Sequence, residues 1–352
     1  MTNKIRDWQD ISSDFSDSIL LGNGASISIH PNFNYSSLKA YACSEDLLNT
    51  SVQRLFDYFK TDDFELILRL VWQATKVNEA FELTDNETEN AYKHIRECLI
   101  RSVQAMHPPH MDIQDQIPVI TKFLGSFKTV LSLNYDLTLY WVMMHANSLS
   151  SGSEFKDCMI SGKFRSDWQT LREPFRRRKA SLVFYPHGSL VLARHIIQQE
   201  VKLTLNKDVL SSSQPADEVK LIASTPNDLL DHIKKSWLSG DYIPLFVSEG
   251  TSEQKVKAIE NSHYLSIVYR EVIPSIGENL TIFGWSFGES DIHILRKLKE
   301  SGVKRIAVSL YEGNQSDCIK ITQMIHRYVR SDIKVTFFDS KSNGCWNNPE
   351  HP

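Results

Sequence analysis

The sequence has no closely spaced cysteine pair, no long apolar run and no excess of basic charge, and each absence removes a class of function. Its five cysteines, Cys43, Cys98, Cys158, Cys318 and Cys345, stand far apart with no CxxC pair. That excludes a zinc ribbon and a disulfide framework, and it fits a reducing compartment. No stretch approaches the roughly eighteen apolar residues that cross a bilayer. The segment from Met1 to Ser18 is polar and acidic, without the apolar centre of a secretory signal. A soluble, unprocessed, cytoplasmic protein with no membrane partner is expected. The formal net charge of −4 gives no field for a phosphate backbone, so nucleic acid is not an expected partner. Arg176-Arg177-Arg178-Lys179, the one dense basic cluster, reads first as a solvated face. Internal repeats and low-complexity tracts are also lacking.

With 352 residues and 41% hydrophobic content, the chain can bury a full core. Ser18–Leu21, Thr129–Leu133, Leu182–Tyr185, Leu280–Phe283, Arg305–Leu310 and Lys334–Phe338 are short apolar runs, and most end at glycine or a polar residue, the pattern of buried strands. Tyr242–Val247 reads as a further strand. Between the strands lie helical patterns, among them Leu48, Val52, Leu55, Phe56 and Phe59 on one stripe and Tyr92, Ile95, Leu99, Val103 and Met106 on another. Thr225-Pro226 reads as a helix start closed by Gly240. Thr251 and Gln254 read as a capping box for a long helix reaching toward Val272. The alternation predicts an α/β, Rossmann-like, mainly parallel sheet with helices on both faces. One domain over 1–352 is expected, with a helical insertion at 41–115 and loop excursions at 148–180 and 192–224. Trp72, Trp141 and Trp237 fall on apolar helical stripes and read as core.

Four polar signatures follow strands, where ligands of open parallel sheets bind. Gly22-Asn23-Gly24-Ala25-Ser26 is a turn whose missing Cβ atoms let backbone amides approach a pyrophosphate, although the third glycine of the dehydrogenase fingerprint is absent. The same glycines can serve strand-to-loop geometry alone. In Leu133-Asn134-Tyr135-Asp136 the amide can position a water or a ribose hydroxyl and the carboxylate can orient it, or the segment is an Asx turn opening a helix. His187, between Pro186 and Gly188, is placed to project an imidazole into a cleft as a general base. His94 and His232 lie in helical patterns and read as surface or packing residues. In Gly284-Trp285-Ser286-Phe287-Gly288 the small residues permit close approach of ribose or phosphate, and Ser290 or Asp291 also reads as a helix cap.

Taken in order, these signatures resemble the sirtuin-like, NAD-consuming domains of bacterial antiphage defence proteins, on a branch related to the Thoeris effector. The resemblance implies that Gly22, Asn23, Gly24, Ala25 and Ser26 cradle the phosphates of NAD+, with Tyr135, Gly284, Ser286, Asp291 and Ser309 completing the dinucleotide site. It implies catalytic roles for Asn134 at the nicotinamide ribose or attacking water, for Asp136 as its support and for His187 as the base. The four-cysteine zinc module of protein-deacylating sirtuins has no counterpart here, so acetyl-lysine chemistry is not expected. The insertion occupies a comparable early position, from which it could cover the cleft or build an oligomer contact.

The expected activity is NAD+ glycohydrolysis to nicotinamide and ADP-ribose, with NAD+ as substrate and no metal. The resemblance further implies abortive-infection defence by NAD+ depletion, held in check by homo-oligomerisation, an activating partner protein or a nucleotide signal. The alternatives are a non-catalytic NAD or ADP-ribose sensor, or an ADP-ribosyltransferase or deacylase.

Overall fold

The computed structural model describes residues 4–34, 38–83, 85–149, 151–172, 179–195, 200–203, 228–239, 242–247 and 250–350. The chain opens on an edge strand, β1 (Ile5–Arg6), and then enters β2 (Ser18–Leu21), all of whose residues are buried. A strand covered on both faces needs a continuous apolar run where a one-sided strand needs alternation, and Ile19, Leu20 and Leu21 supply it. The chain then turns through α1 (Asn23–Ile27) and runs through a helical region of α2 (Leu38–Ser44), α3 (Thr50–Phe59), α4 (Phe64–Ala80), α5 (Asn86–Met106) and α6 (His110–Ile113). Helix α3 is capped by Asn49, whose side chain accepts from the Val52 amide, and α5 by Asp85. Tyr92, Ile95, Leu99, Val103 and Met106 of α5 are all buried, as their spacing requires. On α3 the stripe is buried at Val52 and Phe56, while Phe59 at the last turn is exposed.

Helix α7 (Ile117–Leu124) leads into β3 (Thr129–Ser132), and α8 (Thr138–Ser148) follows. The described residues of 148–180 are more ordered than a loop excursion. They contain β4 (Glu154–Lys156), which joins the edge of the main sheet, and a small hairpin of β5 (Met159–Ile160) and β6 (Lys163–Phe164). Buried Phe155 and Trp168 anchor this segment; isolated apolar residues of that kind carry no periodicity. Next come β7 (Ala180–Phe184), β8 (Gly188–His195), β9 (Glu200–Lys202), α9 (Asp228–Ser239) and β10 (Tyr242–Phe246). The expected excursion at 192–224 is corrected at its start, because residues 192–195 continue β8. Its remainder beyond Leu203, the helix-start pair Thr225-Pro226, Gly240 and Arg176–Arg178 lie outside the described residues.

Strand β10 does not enter the parallel sheet. It pairs antiparallel with β8, which pairs antiparallel with β9, making a separate three-stranded sheet. The Thr251–Gln254 capping box is present and opens α10 (Ser252–Glu260). The continuous helix expected to Val272 is interrupted: Ser262 caps a new helix, α11 (His263–Ile267), by accepting from the Leu265 amide at 3.1 Å. A serine with its own cap geometry restarts the helix more favourably than it continues one. The chain ends its fold with β11 (Asn279–Phe283), α12 (Ile292–Leu298), β12 (Arg305–Leu310), α13 (Gln315–Tyr328) and β13 (Lys334–Asp339).

The main sheet has eight strands in the order β1-β13-β12-β11-β2-β3-β7-β4, and every pairing in it is parallel. Counting its six core strands along the chain, β2, β3, β7, β11, β12 and β13, gives the order 3-2-1-4-5-6 of doubly wound dinucleotide folds. The fold is α/β and Rossmann-like, a mainly parallel sheet with helices on both faces and a helical insertion between β2 and β3. Its strand order reverses between β2 and β11, so the crevice at their carboxyl ends is the place such sheets offer a ligand. No described helix is long and apolar enough to cross a membrane. The five cysteines are free.

Candidate functional site

The loops after β2 and β11 meet at this reversal, backbone against backbone. The Gly22 amide donates to the Phe283 carbonyl at 2.9 Å and the Gly24 amide to the Gly284 carbonyl at 2.7 Å. A Cβ on Gly24 would lie 2.8 Å from the Gly284 oxygen, and one on Gly284, whose φ is +69°, would collide with the Ala25 nitrogen. These glycines are therefore required by the approach of the two loops, and the amides of Gly22 and Gly24 are committed to it. The expected phosphate cradle thus has two amides fewer to offer than the turn alone promised, because β2 and β11 are adjacent strands. Ser309, at the end of β12, accepts from the Gly284 amide at 2.9 Å and fixes that loop. The Ala25 carbonyl accepts from the buried Trp346 indole at 2.9 Å. Asn23 and Ser286 are exposed on the two loops. Trp285 and Phe287 stack beneath them at 4.5 Å, Phe287 with φ +57°.

Asn134 is clamped beside this junction. Its Nδ2 donates to the Gly22 carbonyl at 3.0 Å and to Ser26 Oγ at 2.8 Å, and Ser26 in turn donates to buried Asp136 at 2.5 Å. The other Asp136 oxygen accepts from the Thr138 amide at 2.8 Å, which opens α8. The Asx-turn reading and the orienting reading of Asp136 therefore both hold. Buried His107 accepts from the Leu137 amide at 3.0 Å, and burial, against the pull of Asp136, holds its imidazole below the ordinary value. Tyr135 stacks on Phe246, and its carbonyl accepts from the Leu190 amide at 2.7 Å, which ties the small sheet to this loop. With both Nδ2 protons taken, the Asn134 Oδ1 has no donor among the described residues.

His187 sits in the turn between β7 and β8, closed by Gly188 at φ +76°. It is only 3% exposed and stacks on His293, which is 1% exposed, with the two Nε2 atoms 2.9 Å apart. His187 also meets the Leu133 backbone, one residue from Asn134, and His293 meets the Ser290 backbone. Asp291 stands beside both rings and pairs with buried Lys255 at 2.7 Å. Burial pushes His187 well below its ordinary 6.5, with Asp291 pulling the other way and Lys255 adding to the drop. His293 is lowered to about 4, again chiefly by burial. Burial alone would raise the Asp291 carboxyl, but the Lys255 ammonium bonded to it holds it below its ordinary value. Both imidazoles are therefore neutral at neutral pH. Neither Ser290 nor Asp291 makes a side-chain cap for α12. Asp291 serves the histidine pair.

The ligand atoms of His187, Asp291 and His293 lie within 4.8 Å of one another, a donor set of the kind that takes a divalent cation. In this arrangement the two Nε2 atoms contact each other directly and Asp291 faces an ammonium.

A cavity of about 800 Å³ opens next to this cluster, between the helical insertion, through Lys39, Lys60 and Asp62, and the main domain, through Ser252, Ser290 and Arg296. Gln254 spans its two sides by donating to the Lys60 carbonyl at 3.0 Å. The fold thus gathers Gly22, Gly24, Ser26, Asn134, Asp136, Gly284 and Ser309 into one bonded network, and places His187, stacked on His293, with Asp291 in a cluster near the Leu133 backbone. No hydrogen bond links Asn134 and His187, and neither lines this cavity. His293, Lys255, Ser252 and His107 escaped the reading of the sequence. The signal for His293 was its place two residues after Asp291, on the first turn of a helix leading from a glycine-rich strand end.

A family model described as Domain of unknown function (DUF4917) matches residues 19–346. No curated protein matches the chain. The match runs from within β2 to beyond β13, and the chain belongs to this family.

Proposed function

We propose that this member of the family is an NAD+ glycohydrolase, cleaving NAD+ to nicotinamide and ADP-ribose. The observation that carries the reading is the clamp on Asn134. Two acceptors hold its Nδ2, and the unpartnered Oδ1 sits at the reversal point of the strand order, one residue along the chain from the Leu133 backbone near buried His187. The same signatures carry the sirtuin-like resemblance. In the reaction, the C–N bond to nicotinamide breaks with its electron pair leaving on the base, and the ribose passes through an oxocarbenium-like state that oriented dipoles stabilise. Asn134 Oδ1 would accept from the attacking water, which gives its oxygen to the anomeric carbon and its proton to His187. Asp136, through Ser26, would keep the Asn134 amide from turning.

Burial of His187 supports a resting state that needs an activator, in keeping with an abortive-infection effector in the cytoplasm controlled by homo-oligomerisation or a partner protein. The same burial also favours the second reading, an NAD or ADP-ribose sensor that turns nothing over. Incubating the pure chain with NAD+ and candidate activators, and following nicotinamide by chromatography, separates the two. Release by the native chain, reduced about 100-fold or more in Asn134→Ala, is the expected result. Tight NAD+ binding by calorimetry with no release under any activating condition would leave the sensor.

A further inference from the structure

The two imidazoles of the cluster face each other through their Nε2 atoms, 2.9 Å apart, and both rings are buried. Asp291 brings a carboxylate to the same gap, so that one ligand atom from each residue lies within 4.8 Å of the others. Its Oδ1 accepts from Lys255 at 2.7 Å, while its Oδ2 has no hydrogen-bond partner among the described residues. A carboxylate that ligates through one oxygen and is bonded through the other is a regular feature of metal sites. The second nitrogen of His293, Nδ1, lies 3.4 Å from Ser252 Oγ. A hydroxyl both donates and accepts, so Ser252 serves this ring with its hydrogen on either nitrogen. Outer partners of that kind hold a ligating imidazole in place.

We propose that His187, His293 and Asp291 form a binding site for a divalent ion of the zinc class, ligated by the two Nε2 atoms and Asp291 Oδ2, with a fourth position for water. Two nitrogens and one carboxylate oxygen suit zinc better than magnesium or calcium, which take oxygen ligands, and the set offers no sulfur for copper(I). Tetrahedral zinc keeps its nitrogen ligands about 3.3 Å apart, so the rings part by about 0.4 Å and tilt to admit it. Asp291, just before α12 and with its side chain 19% exposed, has room to swing inward. Ser252 and Ser290 line the cavity of about 800 Å³ beside the cluster, which gives the ion its way in. Lys255 balances the carboxylate when no ion is bound and repels one that is, so the site suits reversible loading. A bound zinc ion ties up His187 and stops nicotinamide release; that consequence rests on the reading given above, and the site itself does not.

The full chain, stripped with a chelator and dialysed against zinc, tests this. One zinc per chain should be retained, and cobalt(II) in its place should give a visible spectrum without a thiolate charge-transfer band, since the cysteines take no part. Ser252→Ala should weaken zinc binding by about 10–100-fold, and His293→Gln by more. In ¹⁵N-histidine spectra of the unaltered chain, one equivalent of zinc should shift the Nε2 signals of His187 and His293. No retained zinc, a thiolate band, unchanged binding in His293→Gln or unmoved signals at the two rings would overturn the site. If the variants do not fold, the spectra of the unaltered chain decide alone. Where nicotinamide is released, the same equivalent of zinc should stop it and a chelator should restore it. Zinc bound at the pair with no release under any condition removes the NAD+ reading and keeps the site; release with no zinc bound does the reverse.

Discussion

At the residue scale, the chemistry depends on groups that are polar, buried and paired with one another. His293 binds a proton less readily folded than unfolded, since burial lowers it from 6.5 to about 4. Above pH 6.5 neither state holds that proton, and the group does not affect stability. Between 6.5 and about 4 the unfolded chain takes it up and the folded chain does not, so stability falls as pH falls, by on the order of 3 kcal/mol in all. Urea midpoints measured across that window should decline with acidity, and the slope should flatten in His293→Gln. An equal slope in both chains would show that other groups dominate. Asn134, Asp136 and His187 stood out in the sequence because each follows a strand directly. His293 and Lys255 did not, because their partners lie far away in sequence: His187 is separated from His293 by 106 residues. A helical histidine looks alike whether it faces solvent or a second imidazole.

At the element scale, the glycine pairs decide how near β2 and β11 can bring their loops. Gly284→Ala combines a positive φ with a collision against Ala25, and should cost about 1–3 kcal/mol in folding free energy. Gly302, where an added Cβ meets nothing within 4 Å, provides the control. Thermal unfolding of both alanine variants checks the contrast, and an equal loss would contradict it. The core strands were legible because a fully covered strand is a short apolar run with polar punctuation. The small antiparallel sheet was not: Tyr242–Phe246 is apolar in the same manner, and nothing within it reveals the direction of its neighbour. The break between α10 and α11 was legible only as a serine in a helical pattern, where propensity is weak and cap geometry decides.

At the scale of the whole molecule, the lateral order of the strands turns scattered motifs into a site. The sequence supplies the strands in succession. Only the pairing of β2 with β3 on one side and β11 on the other brings residues near 24, 134 and 284 together. The insertion also acquires its meaning at this scale, since Lys39 and Lys60 wall the cavity that borders Ser252. Trp346 closes the assembly from the opposite end of the chain, through its bond to the Ala25 carbonyl and its packing on Phe283 at 5.4 Å. Trp346→Phe keeps the packing and removes the bond, and should destabilise by about 1 kcal/mol. Hydrogen exchange at residues 22–30 should quicken in that variant, and unchanged protection would count against the tie.

That indole sets a timetable for the newborn polypeptide. The turn after β2 is synthesised well before that residue, and one of its carbonyls waits for a partner translated 321 positions later. Chains interrupted before that tryptophan emerges lack the fastening, and the loop at the crevice is left untied in truncated products.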